Sequence, residues 1–126
     1  MIYMVDIDQT ICVTPQIDGK HRYDMSVPLD HRIERINSLY DEGHTIIYWT
    51  ARGSGSGLDW TELTHQQLDE WGCKRHEIRL GKPSYDVWID DKALSDAEFF
   101  KNQDIEFLYD DYLVNGYKNN EQPRLD

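Results

Sequence analysis

Met1-Ile2-Tyr3-Met4-Val5-Asp6-Ile7-Asp8-Gln9-Thr10 is the stretch on which the fold turns. Residues 2–7 form an apolar run interrupted only by Asp6, the pattern of a strand buried on both faces, as in a parallel sheet. Burying Asp6 at the end of such a strand is costly unless its charge is paired or hydrogen-bonded. Asp6 and Asp8 lie two residues apart, so they share one side of an extended chain. Where the backbone bends beyond the strand end, both carboxylates can reach one pocket. Asp-x-Asp-x-Thr directly behind an apolar strand is therefore a candidate reaction centre, although acidic residues also end ordinary strands.

Working outward, residues 9–28 lack helical periodicity, and Asp18-Gly19 predicts a hairpin turn within that excursion. Pro28 suits the first turn of a helix carrying Leu29, Ile33, Ile36 and Tyr40 at helical spacing, with Gly43 as its stop. Thr45 to Trp49 is rich in β-branched and aromatic residues and reads as the second strand. A Gly/Ser loop at 53–57 follows. Asp59 and Glu62 then form a capping-box pattern ahead of a helix that carries Trp60, Leu63, Leu68 and Trp71 and ends at Gly72. Glu77 to Leu80 and Tyr85 to Ile89 read as third and fourth strands, and Ser95 with Glu98 caps a last helix. This order predicts an α/β domain: a Rossmann-like, mostly parallel sheet with helices on both faces. Residues 102–126 are expected to be a tail whose 105–109 stretch adds an edge strand before a loop.

The 126 residues suit one domain, and no apolar run approaches the ~20 residues of a membrane span. Met1 to Val5 lacks a basic leader, so no signal peptide is expected, and a cytoplasmic location is. Cys12 and Cys73, without C-x-x-C spacing, are expected to be reduced thiols. The five histidines show no i, i+4 pairing of a helical zinc site. With 24 Asp+Glu against 13 Lys+Arg, the net charge of −11 disfavours an extended nucleic-acid groove.

Three further constellations follow strands or short linkers. In Trp49-Thr50-Ala51-Arg52, the Thr50 hydroxyl can bond a phosphoryl oxygen and Arg52 can hold an anion bidentately; equally, Thr50 can cap a turn and Arg52 be solvated. In Gly81-Lys82-Pro83, Pro83 disfavours helix at Lys82 and so places this lysine on an extended connection. In Trp88-Ile89-Asp90-Asp91, two adjacent carboxylates repel and call for a cation; with phosphate present, Mg²⁺ is the default. In an open α/β sheet the carboxyl ends of the strands gather at one edge, where ligands bind. All four signals therefore converge on one pocket.

With Asp6-Ile7-Asp8-Gln9-Thr10, Thr50, Lys82 and Asp90-Asp91 in this order, residues 1–101 resemble the haloacid dehalogenase superfamily of phosphohydrolases. The resemblance implies Asp6 as a nucleophile forming an aspartyl-phosphate, and Asp8 as general acid and then base. Thr50 and Lys82 would hold the phosphoryl group. Asp6, the backbone carbonyl of Asp8, and Asp90 would hold Mg²⁺, with Asp91 assisting. The short spacings leave no room for a large cap, and the Trp-Thr-Ala-Arg-Gly wording resembles small capsule or polysaccharide biosynthesis phosphatases. A capless site is open, so Tyr23, Arg52 and Trp60 are expected at its rim, contacting the leaving group, and a homo-oligomer could close it. The function implied is a Mg²⁺-dependent phosphomonoesterase acting on a sugar phosphate or other small metabolite. The alternatives are a polynucleotide 3′-phosphatase, which the charge opposes, and a non-catalytic phosphate- or phosphoprotein-binding module, which has no need of Asp8.

Overall fold

A computed structural model describes residues 1–101 of the chain; the expected tail and its edge strand lie outside them. The central element is a three-stranded parallel sheet of β1 (Ile2–Val5), β6 (Thr45–Trp49) and β7 (Glu77–Arg79), with β6 in the middle. Between β1 and β6 the chain makes the excursion and then α1 (Asp30–Asp41). The excursion consists of β2 (Cys12–Val13), paired antiparallel with β5 (Val27–Pro28), and the hairpin of β3 (Gln16–Ile17) and β4 (Lys20–His21). Asp18 and Gly19 both have positive φ, 52° and 75°, as the predicted two-residue hairpin turn requires. Helix α2 (Thr61–Glu70) connects β6 to β7, and α3 (Asp96–Phe100) follows. This is the α/β architecture predicted, a parallel sheet flanked by helices. No helix among the described residues is long and apolar enough to cross a membrane.

The core draws side chains from each layer: Val5 and Ile7 from the first strand and its exit, Ile33, Ile36 and Leu39 from α1, Ile46 and Tyr48 from β6, and Leu68 from α2. Arg32, almost fully buried on α1, donates to the Thr10 carbonyl at 3.0 Å and to Asp96 at 2.7 Å, tying α1 to the first loop and to α3. Ser95 caps α3 as expected, accepting from the Glu98 N–H. Cys12 and Cys73 are buried and unbridged.

Four expectations require correction. Among the described residues strand β1 lies at the edge of the sheet, and Ile2 and Met4 are exposed rather than buried on both faces. Pro28 closes β5 instead of opening α1, which starts at Asp30 because Leu29, its N–H bonded to the Ile11 carbonyl at 2.8 Å, has a non-helical backbone with φ −98° and ψ 89°. Asp59 accepts from the Thr61 N–H, two residues on, rather than from Glu62, and the N-cap position is held by Trp60. Tyr85 to Ile89 is not a strand: Val87 and Ile89 are 74% and 93% exposed. The Lys82 N–H bonds the Thr50 carbonyl, so residue 82 already stands at the carboxyl edge of the sheet. A parallel strand starting there would need a crossover of about a dozen residues, which the chain lacks.

Ile46, fully buried on the middle strand, and Ile2, 69% exposed on the edge, test this layering. Ile46→Ala should cost about 2–5 kcal/mol in urea unfolding, and Ile2→Ala less than about 0.5 kcal/mol.

Candidate active site

Beyond Val5 the chain leaves the sheet and doubles back. The N–H groups of Thr10 and Ile11 both bond the Ile7 carbonyl, and the Gln9 N–H bonds the Cys12 carbonyl at 2.8 Å. Gln9 has φ 62°, a left-handed conformation uncommon for a residue with a side chain. Its amide holds the turn by donating to the Thr14 carbonyl at 2.8 Å and accepting from the Thr14 N–H at 3.1 Å. The turn presents Asp6 and Asp8 to a cleft of about 550 Å³ that is also lined by Gln9, Ala51, Lys82, Pro83, Ser84, Tyr85 and Asp86.

Asp6 faces Lys82, with Nζ 3.5 Å from Oδ1, while Thr10 donates its hydroxyl to Oδ2 at 3.3 Å. Burial pushes the Asp6 carboxyl above its ordinary range, and the Lys82 charge partly opposes this. The lysine is held from behind: Ser54 of the Gly/Ser loop donates to the Lys82 carbonyl at 2.7 Å. Gly53 makes that loop turn possible, having φ 83°, and a Cβ there would collide with the Leu58 carbonyl. The Gly/Ser loop therefore braces the lysine.

Asp6, Asp8 and Lys82 are thus brought together in one cleft. Thr50 is fully buried behind it, its hydroxyl accepting from the Arg52 N–H at 3.1 Å, and Ala51 takes the lining position. Arg52, expected at the rim, is 2% exposed and does not line the cleft; its guanidinium pairs with Asp8 at 2.9 Å. Tyr23 lies against that guanidinium, 4.8 Å from Cζ to ring centroid, and Trp60 meets Tyr23 edge-on at 5.1 Å. Tyr23 covers Arg52, Trp60 packs on Tyr23, and neither ring lines the cleft. The pairing also draws in Thr14, Ser26, Thr64 and Gln67. The sequence reading assigned these four residues no role. The available signal was Thr64 and Gln67, polar residues three apart on the same helical face as Leu68.

Asp90 and Asp91 are outside the cleft lining. Asp90 is fully exposed and accepts from the Lys92 N–H at 3.0 Å and from the Trp88 indole at 3.2 Å. This local turn holds its carboxyl below the usual range. Among the described residues no three His, Cys, Asp or Glu side chains are grouped to hold a metal. The donor set implied for Mg²⁺, which needs Asp90 beside Asp6, is therefore not assembled in this arrangement.

No family model matches the chain, and no curated protein matches it. A solved structure does: a structural-genomics target from Vibrio cholerae, 23% identical, aligned over 86% of this chain and 96% of its own, with a TM-score of 0.66. The likeness is one of fold. It supports the sheet and helix order described above and assigns no activity.

Because burial raises the Asp6 pKa, the folded state keeps a proton that the unfolded chain releases, and stability falls as pH rises through that window. Asp6→Asn is accordingly expected to melt at a higher temperature than wild type at pH 7. That advantage should shrink towards pH 3, where Asp6 is protonated in both states; thermal melts across pH measure it.

Proposed function

We propose that the protein is a phosphomonoesterase that works through an aspartyl-phosphate at Asp6. One observation carries this reading: Asp6 shares a cleft with a second carboxylate, Asp8, and stands 3.5 Å from the Lys82 ammonium. A lysine beside a carboxylate supplies the positive charge that a phosphate dianion needs to approach a negative nucleophile. In the first step an Asp6 oxygen attacks phosphorus and the bond to the ester oxygen breaks. The departing oxygen takes the bond's electron pair and a proton from Asp8. In the second step water attacks the phosphorus of the acyl phosphate, giving its proton to Asp8. The bond to Asp6 breaks, inorganic phosphate leaves, and both carboxyl groups regain their starting states.

The cleft suits a small substrate. Its volume lies within the ~300–1,000 Å³ usual for small-molecule sites. Among the described residues Lys82 is the one basic residue lining it, against Asp6, Asp8 and Asp86, which favours a single phosphate group on a neutral carrier, such as a sugar phosphate, over a chain of phosphodiesters.

A panel of phosphomonoesters tests the proposal. Wild type should release phosphate from at least one, p-nitrophenyl phosphate included. Asp6→Asn should have no turnover, and Asp8→Asn should lose about 10²–10⁴-fold in kcat. A wild type inactive on every ester overturns the phosphatase reading, and stable phosphorylation of Asp6 without turnover points instead to a binding module. Mg²⁺ enters the proposal as the ion implied by the resemblance, and it requires Asp90 to reach the cleft. EDTA should then abolish activity, and Asp90→Asn should need at least about ten times more Mg²⁺ for half-maximal rate, because losing a direct ligand costs no less than losing an outer partner. An unchanged Mg²⁺ requirement in Asp90→Asn removes Asp90 from that role.

A further inference from the structure

Arg52 has five N–H donors, and each meets an acceptor inside the protein. Nε reaches Asp8 Oδ2 at 3.0 Å, and Nη2 reaches Asp8 Oδ1 at 2.9 Å and Ser26 Oγ at 3.4 Å. Nη1 reaches Gln67 Oε1 at 2.6 Å and Thr64 Oγ1 at 3.2 Å. The partners are themselves anchored: Gln67 donates to the Tyr23 carbonyl at 2.6 Å, and Thr64 to the Trp60 carbonyl at 2.7 Å. The Arg52 side chain is 0% exposed. A guanidinium so engaged has no donor left for a ligand, so it cannot hold substrate without breaking this network.

The two Asp8 oxygens are used unequally. Oδ1 accepts from Arg52 and also from the Thr14 hydroxyl at 2.6 Å, whereas Oδ2 accepts a close bond from Arg52 Nε alone. We infer that Arg52 is a positioning residue: its fork holds both Asp8 oxygens, and Oδ2, which accepts from Nε alone while Oδ1 is shared with Thr14, is the oxygen with a lone pair left for the cleft. Helix α2, through Thr64 and Gln67, sets where that oxygen lies. The bidentate fork fixes the plane of the carboxylate, which the point charge of a lysine cannot do. The kinetic consequence rests on the phosphatase reading; the placement of Asp8 does not.

Rapid-mixing assays with p-nitrophenyl phosphate provide the test. The aryl leaving group needs little help from a proton, so formation of the acyl phosphate tolerates a misplaced Asp8, whereas its hydrolysis needs Asp8 to activate water. Arg52→Lys should lose about 10²-fold in kcat, the scale expected for a displacement near 1 Å, lower KM in proportion so that kcat/KM holds within about twofold, and release a burst of one p-nitrophenolate per chain. In the Arg52→Lys/Asp8→Asn double variant the loss should not exceed that of Asp8→Asn alone. A raised KM with kcat unchanged, or additive losses, overturns the inference. Should Arg52→Lys not fold, Thr64→Val should lower kcat and Thr64→Ser restore it; equal behaviour of the two overturns it as well. Independently of turnover, the NMR signal of the Arg52 Nε–H should shift in Asp8→Asn and stay in place in Asp6→Asn. An unshifted signal in Asp8→Asn overturns the placement, whereas a wild type without turnover overturns only the phosphatase reading.

Discussion

Two negative charges stand where the first strand leaves the core, and the arrangement around the cleft depends on how each is balanced. A carboxylate brought partly out of water needs a counter-charge or hydrogen bonds, and a buried guanidinium needs the same in return. Asp8 and Arg52 meet that requirement for each other. Because Arg52 is reached from the excursion through Ser26 and from α2 through Thr64 and Gln67, their pairing joins segments that share no strand ladder. Asp6 is balanced more loosely, by Lys82 at 3.5 Å. The tight pair is built into the protein, while the looser one faces the cleft.

The same contrast explains why the two basic residues were not equally readable. Lys82 sits in Gly81-Lys82-Pro83, where the proline restricts the backbone, and its placement beside Asp6 agrees with what a fixed lysine after a strand suggests. Arg52 follows Thr50 in a stretch that looks equally suited to a surface loop. Its burial depends on polar acceptors contributed by residues 8, 26, 64 and 67, which no local pattern connects. An arginine is hidden only when distant segments bring enough acceptors to satisfy all its donors.

Asp90 and Asp91 show the opposite case, a strong local pattern without the expected placement. Tyr85 to Ile89 has the composition of a strand, yet composition cannot supply a crossover. The segment begins at the sheet's carboxyl edge, and Asp90 bonds its own neighbours there. The exposure of Val87 and Ile89 follows from the same geometry. The Vibrio cholerae neighbour strengthens the case for the fold without bearing on this chemistry.

The sequence by itself determined the α/β class, the β6 strand, the Asp18-Gly19 hairpin, the Ser95 cap and the adjacency of Asp6 and Asp8. Each of these rests on near neighbours: hydrophobic period, turn residues, or a two-residue offset along a strand. Tertiary structure alone decided that β1 is an edge among the described strands, that Thr50 lies behind the cleft, that Arg52 grips Asp8, and that Asp90 stands apart. Those outcomes depend on which distant groups arrive to share a strand edge, an acceptor or a charge. Such partnerships are settled by packing the whole domain, because the energy of burying a polar group depends on its partners in space rather than in sequence.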